Sequence, residues 1–422
     1  MPTSRYATPP IAFETEKQWT NWGGNQSCSP AFTVRPRNER EVLDVVRFAI
    51  REGLPVRAVG AGHSFTPIVQ TGGVLIDTAS LTGVTGVDTA THRVRMLGGT
   101  RLTDLGDVLW DKGLSLSNQG DIDKQAIAGA ISTGTHGSGI RLGSFSSTVR
   151  WVKLVTGHGE IVEIGEDNLR ELRAAQVALG TLGVIVEVEL QAMPRYHLAE
   201  QITYPGWQET VSGWQENIDN HRHYSFIWCP RDESAGLYEL PTPAGESMVD
   251  RCYTKRYQTI TLSEPDGIVT TEGARRDRAY RIYAGGFMIP FHEMEYYVPA
   301  EKGQEAVTAV RDLLLTRHTD QRYPLEVRWV KGDEGLISPF YGRDTTVLSV
   351  SGAPGTDYWP YLRDMDALLE DFDARPHWGK IHFLTRDRVR RIYPEYDAFN
   401  SVRRRYDPNG VFLNDSLRQL FG

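Results

Sequence analysis

Cysteine is scarce in this chain: Cys28, Cys229 and Cys252 are the only three in 422 residues, and none belongs to a CxxC pair. Neither a disulfide framework nor a cysteine zinc site is expected, and the usage fits a reducing cytoplasm. Basic clusters are scarce too. The one short run, Arg403, Arg404 and Arg405, reads as a solvated helix face, and with a net charge of −8 no nucleic-acid partner is expected. No window approaches the ~18 uninterrupted apolar residues of a membrane span. Residues 1–14 lack an apolar core of signal-peptide length, so a soluble, unprocessed, cytoplasmic protein is expected. The phosphate-loop pattern GxxxxGK[ST] is absent, as are internal repeats, low-complexity tracts and any metal-ligand pattern.

What the chain does have is glycine loops. Residues 55–68, PVRAVGAGHSFTPI, read as a short buried strand running into a loop with His63 at its tip. Gly60 and Gly62 let the backbone turn and bring bare N–H groups to an anion, so the loop reads as a phosphate cradle. It lacks the third glycine of GxGxxG, and no amphipathic helix follows. A second glycine-rich stretch, residues 117–139, intersperses Gly120, Gly129, Gly134, Gly137 and Gly139 with small hydroxyl residues. Two such loops imply a long ligand.

The regular elements follow an α+β pattern. Asn38 with Glu41 three residues on predicts a helix start, Val42, Val45, Val46, Ala49 and Ile50 share one face, and Gly53 stops it. Strands are expected at 74–77 and 94–97, a helix at 103–113, a hairpin from 149–156 and 160–164, a helix over 168–180 and a strand over 183–193. Residues 236–273 read as irregular and polar. Beyond them a helix at 302–318 is flanked by strands starting at Gly286, Leu325 and Thr346, and two helices are expected at 387–391 and 394–405. A turn at Asp407, Pro408, Asn409 and Gly410 precedes VFLND, which packs or pairs.

Three blocks carry a resemblance: GAGHSF with LSNQG and STGTHGSG, then YPLEVRWVKGDEGLISPFYGRD, then RPHWGK followed by YP, DPNGVFLND and a terminal Leu-Phe. GxGHS resembles the vanillyl-alcohol-oxidase type of FAD enzymes. The three blocks together resemble the sugar-1,4-lactone oxidoreductases (L-gulonolactone oxidase or dehydrogenase, D-arabinono-1,4-lactone oxidase) and the related alditol oxidases. The resemblance runs over nearly the whole chain and is weakest at about 205–280. It implies a PCMH-type FAD-binding domain at 1–194, an inserted α+β substrate cap at 195–375, and a tail, 376–422, returning to the FAD site. It further implies FAD joined covalently to His63, with Ala58, Val59, Gly60, Ala61, Gly62, His63, Ser64, Gly134, Thr135, His136, Gly137, Val184 and Ile185 contacting the cofactor and His377 approaching from the tail. A surface-loop role for His63 and a plain strand start at 182–185 are the bland alternatives.

The implied reaction is oxidation of a CH–OH group of a sugar lactone or polyol, with dioxygen or another acceptor taking the electrons. Arg328 and Lys380 suit developing negative charge, Glu326 suits a proton or neighbouring hydroxyls, and Ser351 suits a hydrogen bond to the substrate. In LEVRWV, residues 325–330, the strand period puts Glu326 and Arg328 on one face and Leu325, Val327 and Trp329 on the other. The alternative is an exposed face with a weak ion pair. Other functional readings are a tailoring oxidase of the berberine-bridge kind, opposed by the lack of cysteine in the second loop, and a non-catalytic flavin binder.

Overall fold

A computed structural model describes residues 6–271, 273–285 and 289–422. The helix Glu39–Glu52 starts where Asn38 accepts from the Glu41 N–H, and ends at Gly53, whose φ of 66° only glycine adopts freely. It joins Phe32–Val34 to Val56–Val59. Both strands run parallel to Val74–Asp77, which lies between them in a four-stranded sheet completed by Phe13–Glu14. The helix buries Val42, Val45, Val46 and Ala49 against these strands and against Val155, Val184 and Val186 of a second sheet.

That second sheet is antiparallel, in the order Ile161–Gly165, Val149–Val155, Val184–Gln191, Arg93–Leu97, Val84–Asp88. The expected hairpin is its first pair. The helix expected over 168–180 covers only Leu169–Gln176, because Leu179 and Gly180 turn left-handed at φ 53° and 66°. Their carbonyls accept hydrogen bonds from the buried Arg57, which also binds the Phe412 carbonyl at 2.5 Å. The tail is thereby pinned to the cradle strand. The second glycine stretch is not all loop: Ile127–Thr133 is helical, with Gly134 as its left-handed stop. VFLND leads into an unexpected last helix, Asp415–Phe421, capped by Asn414.

Nine strands, from His197–Thr203 in sequence to Arg375–Pro376, make the third sheet. Contrary to the irregular reading of 236–273, Arg251–Ile260 is a ten-residue strand inside it, whose charged Arg251, Lys255 and Arg256 hid its pattern. Of the strand expected from Gly286, residues 286–288 lie outside the described residues. The helices Gly303–Thr316 and Trp359–Glu370 cover one face of this sheet, packing on apolar residues that include Met294, Tyr296, Leu325, Val327 and Trp329. The opposite face meets the glycine loops. No helix among the described residues is long and apolar enough to cross a membrane.

Candidate active site

One cleft lies where the three sheets meet. Its walls are the strand and loop of residues 57–65, the helix Ile127–Thr133 with Thr135 and His136, residues 183 and 185, the polar face of the nine-stranded sheet, and His377, Gly379 and Lys380 from the tail. Close packing holds the walls in register. A Cβ on Gly60 would lie 2.6 Å from that of Ala126, so the first loop rests directly on the segment leading into the helix. Phe65 N–H donates to the Gly379 carbonyl at 2.7 Å, and Thr66 Oγ1 to that of Trp378 at 2.9 Å, which ties the tail to the histidine loop.

The cleft brings together Ala58, Val59, Gly60, Ala61, Gly62, His63, Ser64, Thr135, His136, Ile185, Glu326, Arg328, His377 and Lys380. Four expected residues stand behind its wall. Val184 faces the helix Glu39–Glu52, as strand alternation requires when Ile185 faces the cleft. Gly137 fits so tightly that a Cβ would lie 1.8 Å from the Gln119 carbonyl oxygen, and Gly134 packs near Pro339. Ser351 is fully buried behind Tyr238, whose hydroxyl donates to Ser351 Oγ at 2.7 Å.

The substrate-side charges are not on an exposed face. Glu326 and Arg328 are 8% and 7% exposed, which removes the weak surface pair as a description. The Arg328 guanidinium bonds Asp121 through Nη1 and Glu295 through Nη2, with Glu326 3.7 Å away. Asp121 is also 3.3 Å from Lys255, and Glu295 takes His136 Nε2 at 3.0 Å and the Tyr297 hydroxyl. Lys380 pairs with Glu293, which accepts from Ser349 Oγ, and stands 5.0 Å above the Phe65 ring.

These environments divide the carboxyls. Burial opposes ionisation of Glu295, but the Arg328 guanidinium and His136 overcome it and hold that carboxyl well below the usual range. Burial pushes Glu326 up to about 7; Arg328 opposes the rise and the Asp121 charge adds to it. Burial, with Lys380 and Arg101 nearby, lowers His63 to about 4, so its imidazole is neutral at neutral pH.

Asp121, Glu293, Glu295 and Trp22 escaped the sequence reading. For Glu293 and Glu295 a signal exists: in HEMEYYVP the carboxylates alternate with Met294 and Tyr296 as in LEVRWV, and the strand His292–Pro299 buries the apolar set. Asp121 comes from the second glycine stretch, 207 residues from its partner Arg328, and has no local signal.

A family model described as D-arabinono-1,4-lactone oxidase matches residues 242–420, and one described as an FAD binding domain matches residues 30–165. The L-gulono-1,4-lactone dehydrogenase of Mycobacterium tuberculosis is 37% identical over 425 residues, covering 96% of this chain and 99% of its own. The chain belongs to the sugar-1,4-lactone oxidoreductase family. An alditol oxidase from Streptomyces sp., 30% identical over 95% of this chain and 98% of its own, is a further relative. A cholesterol oxidase from Brevibacterium sterolicum superposes with a TM-score of 0.85 over 100% of the chain and 99% of its own at 16% identity. The fold is the α+β vanillyl-alcohol-oxidase type, with a cap joined to an FAD-binding part, and the protein is an FAD-dependent oxidoreductase.

The cleft fits that cofactor. Among the described residues, none accepts a hydrogen bond from the backbone N–H of Ala61, Gly62, His63 or Ser64, which leaves four donors for an anionic ligand. A Cβ on Gly129 would meet no described residue within 4 Å beyond its own helix, so bare helix backbone borders the open space. Gln125 Oε1, on the same wall, is buried without a hydrogen-bond partner among the described residues.

Proposed function

We propose that this protein oxidises a CH–OH group of a sugar-1,4-lactone of the gulono-, galactono- or arabinono- type, using FAD linked covalently through His63. The observation that carries the reading is the single cleft in which the His63 loop faces a wall bearing Glu326, Arg328 and Lys380. FAD, when bound, supplies the hydride acceptor. Residues Ala58 to Ser64, with Thr135, His136, Ile185 and His377, would hold it. The proposed boundaries are 1–194 for the FAD-binding part, 195–375 for the substrate cap and 376–422 for the returning tail.

The protein's own contribution is to orient the carbon and ease loss of the hydroxyl proton. Glu326 is suited to take that proton: its carboxyl titrates near 7 and points into the cleft beside a fixed cation. Arg328 and Lys380 are each tied to carboxylates, so neither side chain swings. Held rigidly, their remaining field is available to an alkoxide forming between them. Ser351 acts through Tyr238 rather than by touching substrate. Electrons then pass to dioxygen or another acceptor, and the protein works in the cytoplasm.

A panel of 1,4-lactones and alditols, added under nitrogen, tests this by bleaching of the yellow flavin absorbance. Bleaching by lactones is expected. Bleaching by alditols alone would move the assignment to the activity for which the Streptomyces relative is named.

A further inference from the structure

The histidine at the loop tip has no hydrogen bond to aim it among the described residues. Neither ring nitrogen of His63 has a partner among the described residues, although the ring is largely withdrawn from water. Its one aromatic neighbour among them is Trp22, at 5.3 Å between centroids with the planes 33° apart. A nucleophile attacks productively only when its lone pair is directed at the reacting atom. For a ring without hydrogen bonds, a second ring lying against its face is what limits rotation about the side-chain bonds.

Trp22 is itself held by a built device. Trp19–Thr20 pairs with Ser27–Cys28, and the turn between them closes through Asn21 N–H to the Gln26 carbonyl at 3.0 Å and Gln26 N–H to Asn21 Oδ1 at 2.9 Å. The hairpin then grips the backbone of the histidine loop on both sides of His63. Trp22 N–H donates to the Gly62 carbonyl at 2.9 Å, Asn21 Nδ2 to that of Ser64 at 2.9 Å, and Asn25 Nδ2 and Gln26 Nε2 to that of Phe65, each at 3.0 Å. On its outer side the Gly23 carbonyl lies 2.7 Å from His292 Nε2 of the nine-stranded sheet. These loop carbonyls are occupied, while the N–H groups of residues 61–64 stay free for the ligand.

We propose that the hairpin of residues 19–28 is the clamp that directs His63 onto the cofactor, with Trp22 as the positioning residue for covalent attachment. The proposal rests on the His63 linkage proposed above. In the step it assists, a His63 ring nitrogen would bond the 8α-methyl carbon of the flavin, and the proton that carbon gives up would pass to water. The ring system gains two electrons, and the same acceptor that serves turnover, dioxygen or another oxidant, removes them. A neutral imidazole is the form with a lone pair to give, and burial, with the Lys380 and Arg101 charges nearby, keeps it neutral. Trp22 takes no proton and touches no reacting atom.

The test follows attachment itself rather than turnover. Full-length protein produced under riboflavin limitation is mixed with FAD, and flavin remaining on the acid-denatured chain is measured over time, with bound flavin and melting temperature recorded on the native protein. Trp22→Leu should bind FAD and melt near wild type yet attach about 100-fold more slowly, and Trp22→Phe, which restores a flat ring, should attach within about threefold of wild type. Should Trp22→Leu fold poorly, Asn21→Ala is the second variant: it frees the Ser64 carbonyl and removes one of the two bonds that close the turn while keeping the Trp22 ring, and slowed attachment is expected there as well. Wild-type attachment rates in Trp22→Leu, or in a folded Asn21→Ala if the first variant cannot be made, overturn the clamp. Wild-type protein that never retains flavin after denaturation overturns the His63 linkage and the clamp with it, and so separates the two failures.

Discussion

Glu326 and Arg328 leave the same face of the strand Leu325–Val330, yet Arg328 bonds two other carboxylates and stays 3.7 Å from Glu326. Glu326 is thereby left without a hydrogen bond to that guanidinium, so burial prevails over the attraction of Arg328 and lifts it to about 7. Below that pH it holds its proton and cannot accept another. Flavin reduction at low substrate concentration should therefore rise with pH through about 7 and level off, and Glu326→Gln should be slow and pH-independent in stopped-flow measurements. The stability effect has a definite sign. A carboxyl raised from 4.5 to about 7 binds its proton more tightly folded than unfolded, so its contribution falls as pH rises between those values. Relative to wild type, Glu326→Gln should gain stability from pH 5 to pH 8.

Removal of Arg328 should reach beyond the reaction rate. Asp121 and Glu295 both lose a buried partner in Arg328→Ala, and breaking a buried ion-pair network from one side costs about 3–5 kcal/mol. A lowered denaturation midpoint is expected, with Arg328→Ala plus Glu295→Gln recovering part of it because the carboxylate left without a cation is gone, whereas Asp121 keeps Lys255. Flavin reduction in whatever folds should be slower by about 100-fold. Near-wild-type reduction would remove Arg328 from the mechanism while leaving its structural place intact.

Local chemistry made much of this legible. Asn38, Glu41 and Gly53 specify a helix within one stretch, and the period-2 alternation in LEVRWV correctly turned Glu326 and Arg328 to one side. What alternation cannot supply is the partner. Whether that side meets water or a second layer depends on pairings between residues 207 apart for Arg328 and Asp121 or 33 apart for Arg328 and Glu295. The strand Arg251–Ile260 was hidden for a related reason: its Lys255 reads as a surface charge until Asp121 is found beside it. The same limit applied to Trp22, whose meaning lies in a ring contact with His63 across two segments.

Lys380 and Glu293 allow structure and chemistry to be separated. Lys380→Met strands the buried Glu293 carboxylate, so it should melt lower than wild type, and adding Glu293→Gln should restore most of that loss. If the ammonium acts on the reacting oxygen, the double variant regains stability but not rate. Flavin reduction should remain slowed by about 10–100-fold, as for removal of other fixed charges aimed at an oxyanion. A double variant that recovers both would confine Lys380 to holding the tail against the sheet.

Gly129 should show opposite effects on folding and on cofactor loading. It lies inside the helix Ile127–Thr133, where glycine is less favourable than leucine by about 0.5–1 kcal/mol. Among the described residues, and apart from the helix's own backbone and the neighbouring residues in the chain, nothing stands within 4 Å of where its Cβ would be, so the first carbon of Gly129→Leu has room. The flavin-free variant should therefore unfold at a slightly higher temperature than flavin-free wild type. The space its side chain enters is the cleft assigned to FAD. Purified Gly129→Leu should carry far less flavin per chain, and added FAD should raise its melting temperature less than it raises that of wild type. Gly129→Ala, with a single methyl group, should fall between the two. A variant that loads fully with FAD would mean that the cofactor does not pass over this helix, and a flavin-free variant less stable than wild type would mean that the helix backbone, rather than the ligand, needs the glycine.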